Sequence, residues 1–165
     1  MLGRTAGFGH KQSLHRSKTQ RLCYLMNPSQ SAYDIAGGFG LPAEYVEFLA
    51  TYNGGMCRQD RSIKLSDGTE VLCDCLFGLN LQPSIDFQFW QSELADDLPK
   101  GSVAIGSDPG GAFFLLLKER GIWKVMYYDH AHQLPSSDDE GNTYDCDITL
   151  NDLLALVTED FRAKA

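Results

Sequence analysis

A glycine-rich turn between two apolar segments constrains the fold of this chain more than any other feature. Residues 105–111 read Ile-Gly-Ser-Asp-Pro-Gly-Gly and run directly into the bulky segment Ala112–Leu117, which is followed by a stop at Gly121. A phosphate-binding loop leads into a helix and carries a Lys-Ser/Thr pair, whereas this turn leads into a strand-like segment and lacks that pair. The pattern predicts a tight strand-to-strand connection. We expect its three glycines to supply backbone freedom, and Ser107 and Asp108 to supply turn hydrogen bonds.

The segments around this turn predict a mostly antiparallel sheet. Strands are predicted at Val103–Ile105, Ala112–Lys118 and Trp123–Asp129, and their connections are too short to hold crossover helices. A hairpin is predicted upstream, with strands Ile63–Leu65 and Glu70–Phe77 on either side of an Asp-Gly turn. The chain has no internal repeat and no strand–helix alternation, which argues against a parallel α/β fold.

Helices are predicted at both ends of these strands. A short helix begins near residue 27 and is broken by two glycines, and a second follows Pro42 with an apolar face. Residues 83–94 are predicted to be helical, and a last helix begins near Thr149, where Asp152 completes a capping box. Helices at the N- and C-terminal ends that flank a mostly antiparallel sheet predict a single α+β domain.

Charge is distributed unevenly along the chain. Residues 1–33 contain five bases and no acid, whereas residues 34–165 contain 22 acids and nine bases, a net charge of −13. A body this acidic repels nucleic acid and attracts cationic proteins, although solubility alone also explains such a charge. We therefore expect no nucleic-acid partner.

Residues 1–26 are predicted to lie outside the folded domain, which then covers residues 27–165. They are basic and lack apolar periodicity. This composition fits a disordered extension, a transit peptide, or a misassigned start in which translation begins at Met26. No apolar stretch approaches the roughly 20 residues of a membrane span, so no membrane partner is expected. Five cysteines without a secretory signal predict a cytoplasmic protein with free, mostly buried thiols.

Candidate metal ligands and nucleophiles are present, but no set of them forms a complete site. Cys73-x-Cys75 and His130-x-His132 have the alternation that points both members of a pair to one face of a strand, but the two thiols lie in an apolar segment typical of a core. Residues 138–149 begin like a calcium loop but have threonine where that loop needs glycine and glutamate. Ser107 lacks a G-x-S-x-G elbow. We predict no metal, no cofactor and no catalytic residue.

Three motifs, taken in order, carry a resemblance to a known family. They are Leu41-Pro42-x-x-Tyr45-x-x-Phe48-Leu49-x-x-Tyr52-Asn53-Gly54-Gly55, Leu76-Phe77-Gly78-Leu79, and Leu98-Pro99-Lys100-Gly101-x-x-x-Ile105-Gly106-Ser107-Asp108-x-Gly110-Gly111. Together with residues 125–130 and the closing helix, they resemble the SUKH superfamily over about residues 29–160. That superfamily includes the Smi/Knr-type domain of yeast cell-wall regulators and many bacterial immunity proteins.

The resemblance implies a SUKH-like α+β domain with a curved sheet and no enzymatic activity. It implies an immunity protein that binds and neutralises a cognate polymorphic toxin, and an acidic body suits a cationic nuclease. A regulatory scaffold of the yeast type is the alternative, and a zinc or thiol enzyme is a third reading. The residues expected to contact a partner are Asp108, Tyr128 as an aromatic anchor, Asp129, His130, Asp138, Asp139, Glu140 and Asp145.

Overall fold

The computed structural model describes the backbone of residues 30–57 and 62–162, and the side chains of these residues apart from 30–32, 36 and 159–162. The predicted extension, residues 1–26, lies outside this range. The helices are α1 (Gln30–Gly38), α2 (Ala43–Thr51), α3 (Phe87–Glu93) and α4 (Leu150–Arg162), with a 3-10 turn at Pro83–Ile85. The strands are β1 (Gly55–Met56), β2 (Ser62–Lys64), β3 (Glu70–Leu72), β4 (Cys75–Leu76), β5 (Ser102–Ser107), β6 (Phe113–Glu119), β7 (Ile122–Tyr128) and β8 (Thr143–Asp145).

Six strands form one open antiparallel sheet in the order β1-β4-β5-β6-β7-β8, and β2 and β3 form a separate antiparallel hairpin. The long strands β5, β6 and β7 are neighbours joined by tight turns, as the sequence predicts. Helices α1 and α2 precede the sheet and α4 follows it. The predicted α+β class is therefore confirmed.

The predicted hairpin strand Glu70–Phe77 is in fact two strands in two different sheets. β3 pairs with β2, whereas β4 pairs with β1 and β5. At Asp74 the backbone N–H donates to the Ser107 carbonyl (2.8 Å), and the carbonyl accepts from the Cys57 N–H (2.8 Å). These two bonds carry the chain from the hairpin into the main sheet, and no glycine or proline marks the change in the sequence.

One buried cluster joins the sheet to α2, α3 and α4. The predicted face of α2 is confirmed at Tyr45, Phe48 and Leu49, which are buried, while Tyr52 is partly buried. The Tyr45 hydroxyl donates to the Phe77 carbonyl at 3.0 Å, which satisfies a polar group that burial would otherwise penalise. Burial raises the pKa of Tyr45 far above its ordinary value, so this phenol stays protonated in the folded protein.

The predicted helix 83–94 is interrupted at Asp86, which has extended backbone and separates the 3-10 turn from α3. Its two carboxylate oxygens accept the Phe89 N–H (2.9 Å) and the Leu81 N–H (2.9 Å). Asp86 thereby caps the N-terminus of α3, as aspartate commonly does. The capping box predicted for α4 is confirmed, because the Asp152 N–H donates to Thr149 Oγ1 and the Thr149 N–H donates to Asp152 Oδ2.

The turn after β5 combines two different uses of glycine. Gly111 has φ 92°, a left-handed conformation that a side chain would strain. Gly106 has no positive φ; a Cβ there would overlap the Cys75 carbonyl of β4. The expected role in backbone freedom is therefore wrong for Gly106, which is needed for close strand approach. Ser107 was expected in the turn but is the last residue of β5, and its hydroxyl lies 3.3 Å from the Cys75 thiol.

Candidate functional site

Two of the residues expected to contact a partner are buried. Asp129 is 0% exposed, so the surface position expected for it is wrong, and Tyr128, expected as an aromatic anchor, is 6% exposed and packs inside the fold. The carboxylate of Asp129 accepts the Gln133 N–H (2.9 Å) and the Leu134 N–H (2.7 Å). The Tyr128 hydroxyl donates to the Asp97 carbonyl (3.1 Å). Both residues hold the end of β7 and the loop after it, and His130 beyond them is exposed.

Asp108 is half-buried and is also engaged inside the fold. One carboxylate oxygen accepts the Ala112 N–H (2.8 Å), as expected for a turn residue, and the other accepts the Tyr127 hydroxyl (2.7 Å). The second bond was not expected, because the two residues are 19 positions apart. Burial, with the charge and hydrogen bond of Asp108, raises the pKa of Tyr127. Asp108 therefore joins the turn to β7.

The remaining predicted carboxylates lie at the two ends of β8. Asp138, Asp139 and Glu140 are exposed in the loop before this strand, and Asp145 is its last residue. Asp138 Oδ1 accepts the N–H groups of Glu140 and Gly141, which folds the loop tip into a tight turn. The Asp139 side chain is 98% exposed. We call Asp138, Asp139, Glu140 and Asp145 the β8 carboxylates.

A groove that the sequence did not predict opens beside Asp145. A cavity of about 560 Å³ lies between the start of α2, the edge of β7 and the start of α4, and its walls include Glu44, Trp123, Asp145, Asp147 and Asp152. A second cavity of about 480 Å³ shares Glu44 and Asn151 with the first and continues along α2 and α4. We call the two together the α2–α4 groove. Its walls come from distant parts of the chain, so no local motif announces it.

Carboxylates dominate the charge of the first cavity. The cation that lines it is Lys124, whose ammonium lies 3.1 Å from Glu119 and 3.6 Å from Asp145. The hydrogen bond and charge of Glu119, and the charge of Asp145, raise the pKa of Lys124. Hydrogen bonds from Thr149 lower the pKa of Asp152, so it is ionised at neutral pH. With four carboxylates, one lysine and two helix N-termini of about +0.5 each, the cavity keeps a net charge of about −2.

The cysteines do not form the predicted candidate metal set. Cys57 and Cys73 form a disulfide with a Cα–Cα distance of 5.7 Å, so the expectation of free thiols is wrong for this pair. The backbone bond between Cys57 and Asp74 brings the two cysteines together. Cys75 and Cys146 are free and buried, as expected. Within residues 30–57 and 62–162, no group of three or more His, Cys, Asp or Glu side chains has the geometry to hold a metal ion.

Comparison with protein families identifies the fold. A model described as the SMI1 / KNR4 family (SUKH-1) matches residues 36–155. The chain belongs to this family. Domains of this family are often immunity proteins, which bind cognate toxins. Neither a curated protein nor a solved structure matches the chain.

The match spans every strand of the sheet and the first part of α4, so it includes the β8 carboxylates and all residues that line the first cavity of the α2–α4 groove. It begins inside α1, and the predicted boundary between residues 26 and 27 stays a prediction. In the described part of the chain the longest helix is α4, with 13 residues, and no helix has the length and apolarity needed to span a membrane.

Proposed function

We propose that this SUKH-1 domain is a non-enzymatic immunity protein that binds and neutralises a cognate cationic toxin, a nuclease, in the cytoplasm. The observation that carries the proposal is the family match over residues 36–155. The charge of the chain supports it, because a nuclease needs a basic surface for phosphates and an acidic protein complements that surface.

The carboxylates proposed to meet the toxin are those that the fold leaves exposed or half-exposed. They are the β8 carboxylates and the acids of the α2–α4 groove. The exposed side chain of His130, at the start of the loop before β8, is proposed to contact the toxin as well. Asp129 and Tyr128 are left out because they are buried. Asp108 is left out because both of its carboxylate oxygens accept hydrogen bonds inside the fold. Charges of this kind act mainly by speeding encounter and excluding wrong partners.

The test is co-expression with the toxin encoded beside this chain. We expect wild-type protein to restore growth and to co-purify with the toxin. The double variant Asp139→Asn/Glu140→Gln should lower the association rate several-fold at low salt, while the control Glu93→Gln/Asp96→Asn, on exposed positions at the end of α3, should not. Unrestored growth together with no complex would reject the immunity function for that toxin.

The family name also supports a second candidate, a regulatory scaffold that binds a cellular protein as the yeast members do. The same experiment separates the two functions. An immunity protein suppresses the toxicity of the neighbouring gene product, whereas a scaffold co-purifies with another cellular protein and leaves toxicity unchanged.

A further inference from the structure

β8 covers only part of the edge of β7. It pairs with residues 126–128, and just beyond it the Cys146 N–H donates to the Val125 carbonyl at 3.0 Å. Asp147 then takes a left-handed conformation, φ 51°, and the chain turns away into α4. Among the described residues, no strand pairs with Ile122–Lys124 on that side. The edge of β7 is therefore open for three residues, a length of about 10 Å.

The backbone of Trp123 faces this open side. In an antiparallel strand the N–H and C=O of one residue point to the same neighbour, and successive residues alternate. The Val125 carbonyl points to the β8 side, so the peptide groups of Trp123, two residues earlier, point there as well. Those of Lys124 point to β6, where it lies opposite Leu117. Trp123, Lys124 and Val125 also line the first cavity, so the free edge opens into a space that can hold a peptide.

We propose that this open edge binds a short extended segment of the partner that contains lysine or arginine. This segment would pair with β7 beyond the end of β8, where β8 leaves the edge uncovered. Strand addition takes its affinity from backbone hydrogen bonds and its selectivity from flanking side chains. Ile122, 68% exposed, offers an apolar contact beside the edge. The inference rests on the proposed function in taking the partner to be the cationic toxin.

The open edge and the first cavity define where a peptide segment binds, and the negative charge of the cavity determines which kind of segment is favoured. Glu44 and Asp152 lie in the first turns of α2 and α4, where an acid stabilises a helix without any partner. Asp145 and Asp147 lie outside both helices, and they keep the cavity negative after Lys124 and the helix ends are counted. A cationic segment is therefore favoured over an acidic or neutral one.

The experiment follows backbone amide exchange by NMR on the full chain, with the peptide acetyl-Lys-Val-Arg-Val-Lys-amide as the probe. We expect the Trp123 amide to exchange at least about tenfold more slowly in the bound state, while the Lys124 amide, already directed at β6, does not change. The variant Glu44→Gln/Asp147→Asn should weaken peptide binding about tenfold. Asparagine tolerates the left-handed backbone of position 147, so this variant keeps the fold.

The matched control is Glu93→Gln/Asp96→Asn, which removes the same charge from a surface away from the groove and should bind the peptide like wild type. Equal losses in both variants, or no protection of Trp123, would overturn the inference. With the toxin itself, a complex in which Trp123 still exchanges freely also overturns it and leaves the proposed function standing. Peptide protection at Trp123 without a toxin complex rejects the toxin function and supports the peptide site.

Discussion

Asp129 and Asp139 belong to the same connection between β7 and β8, and their surroundings are opposite. Asp129 is fully buried and its carboxylate accepts two backbone N–H groups, whereas the Asp139 side chain is 98% exposed. The sequence offers no way to tell them apart, because both are aspartates near a strand end. Burial depends on whether the following residues fold back over the carboxylate, as Gln133 and Leu134 do here.

We predict that Asp129→Ala destabilises the protein by about 2–3 kcal/mol, because it leaves two backbone N–H groups without their acceptor. Asp129→Asn should recover part of the loss, since its carbonyl oxygen still accepts one bond. Urea unfolding followed by circular dichroism measures the difference. Asp139→Ala is the control and should leave the unfolding midpoint unchanged. If Asp129→Ala had the same midpoint as wild type, the structural role assigned to this carboxylate would be wrong.

At the scale of single elements, most of the sheet was predictable, because β5, β6 and β7 are apolar segments separated by turn residues. The capping box of α4 was equally readable, since it depends on residues three apart. Errors occurred where a distant bond decides the local structure. Asp74 divides the predicted strand Glu70–Phe77 into β3 and β4 through its backbone bonds to Ser107 and Cys57. The groove walls likewise meet only in the fold.

Gly106→Ala tests the close approach of β4 and β5. A Cβ at this position would overlap the Cys75 carbonyl, and a backbone atom in a paired strand has little room to move. We expect a destabilisation of about 3 kcal/mol or a failure to fold, measured as the urea midpoint and the soluble yield. The control is Gly110→Ala, where the nearest atom is the end of the flexible Gln133 side chain, at 2.7 Å. Equal stability of the two variants would contradict the packing role of Gly106.

At the scale of the whole molecule, the proposed contact surface and the core contain different polar groups. Asp139 and Glu140, which are proposed to meet a toxin, are exposed and contribute little to the fold, whereas the buried phenols and thiols have no access to a partner. This separation explains why the family was readable from the sequence, while the residues expected to contact a partner stay a prediction. Motifs report packing, and packing residues such as Tyr128 are easily mistaken for interface residues.

Buried phenols and thiols make the free energy of unfolding fall as the pH becomes alkaline. Burial raises the pKa of Cys75, of Cys146 to about 12, and of Tyr45 and Tyr127 well above the ordinary tyrosine value. In the unfolded chain thiols ionise at about pH 8.5 and phenols at about pH 10. The unfolded state therefore loses protons first as pH rises, so the stabilisation is complete below about pH 8.5 and declines above it.

We predict that the free energy of unfolding falls above about pH 9 and falls more steeply above about pH 10, with each buried group contributing up to about 1.4 kcal/mol per pH unit. Urea titrations between pH 7 and pH 11 measure the slope, and phenolate absorbance shows whether Tyr45 and Tyr127 ionise only when the protein unfolds. Tyr127→Phe should reduce the slope above pH 10, whereas Tyr33→Phe, at a position 47% exposed, should not. A slope that is the same in wild type and Tyr127→Phe would mean that Tyr127 ionises in the folded protein, contrary to its burial against Asp108.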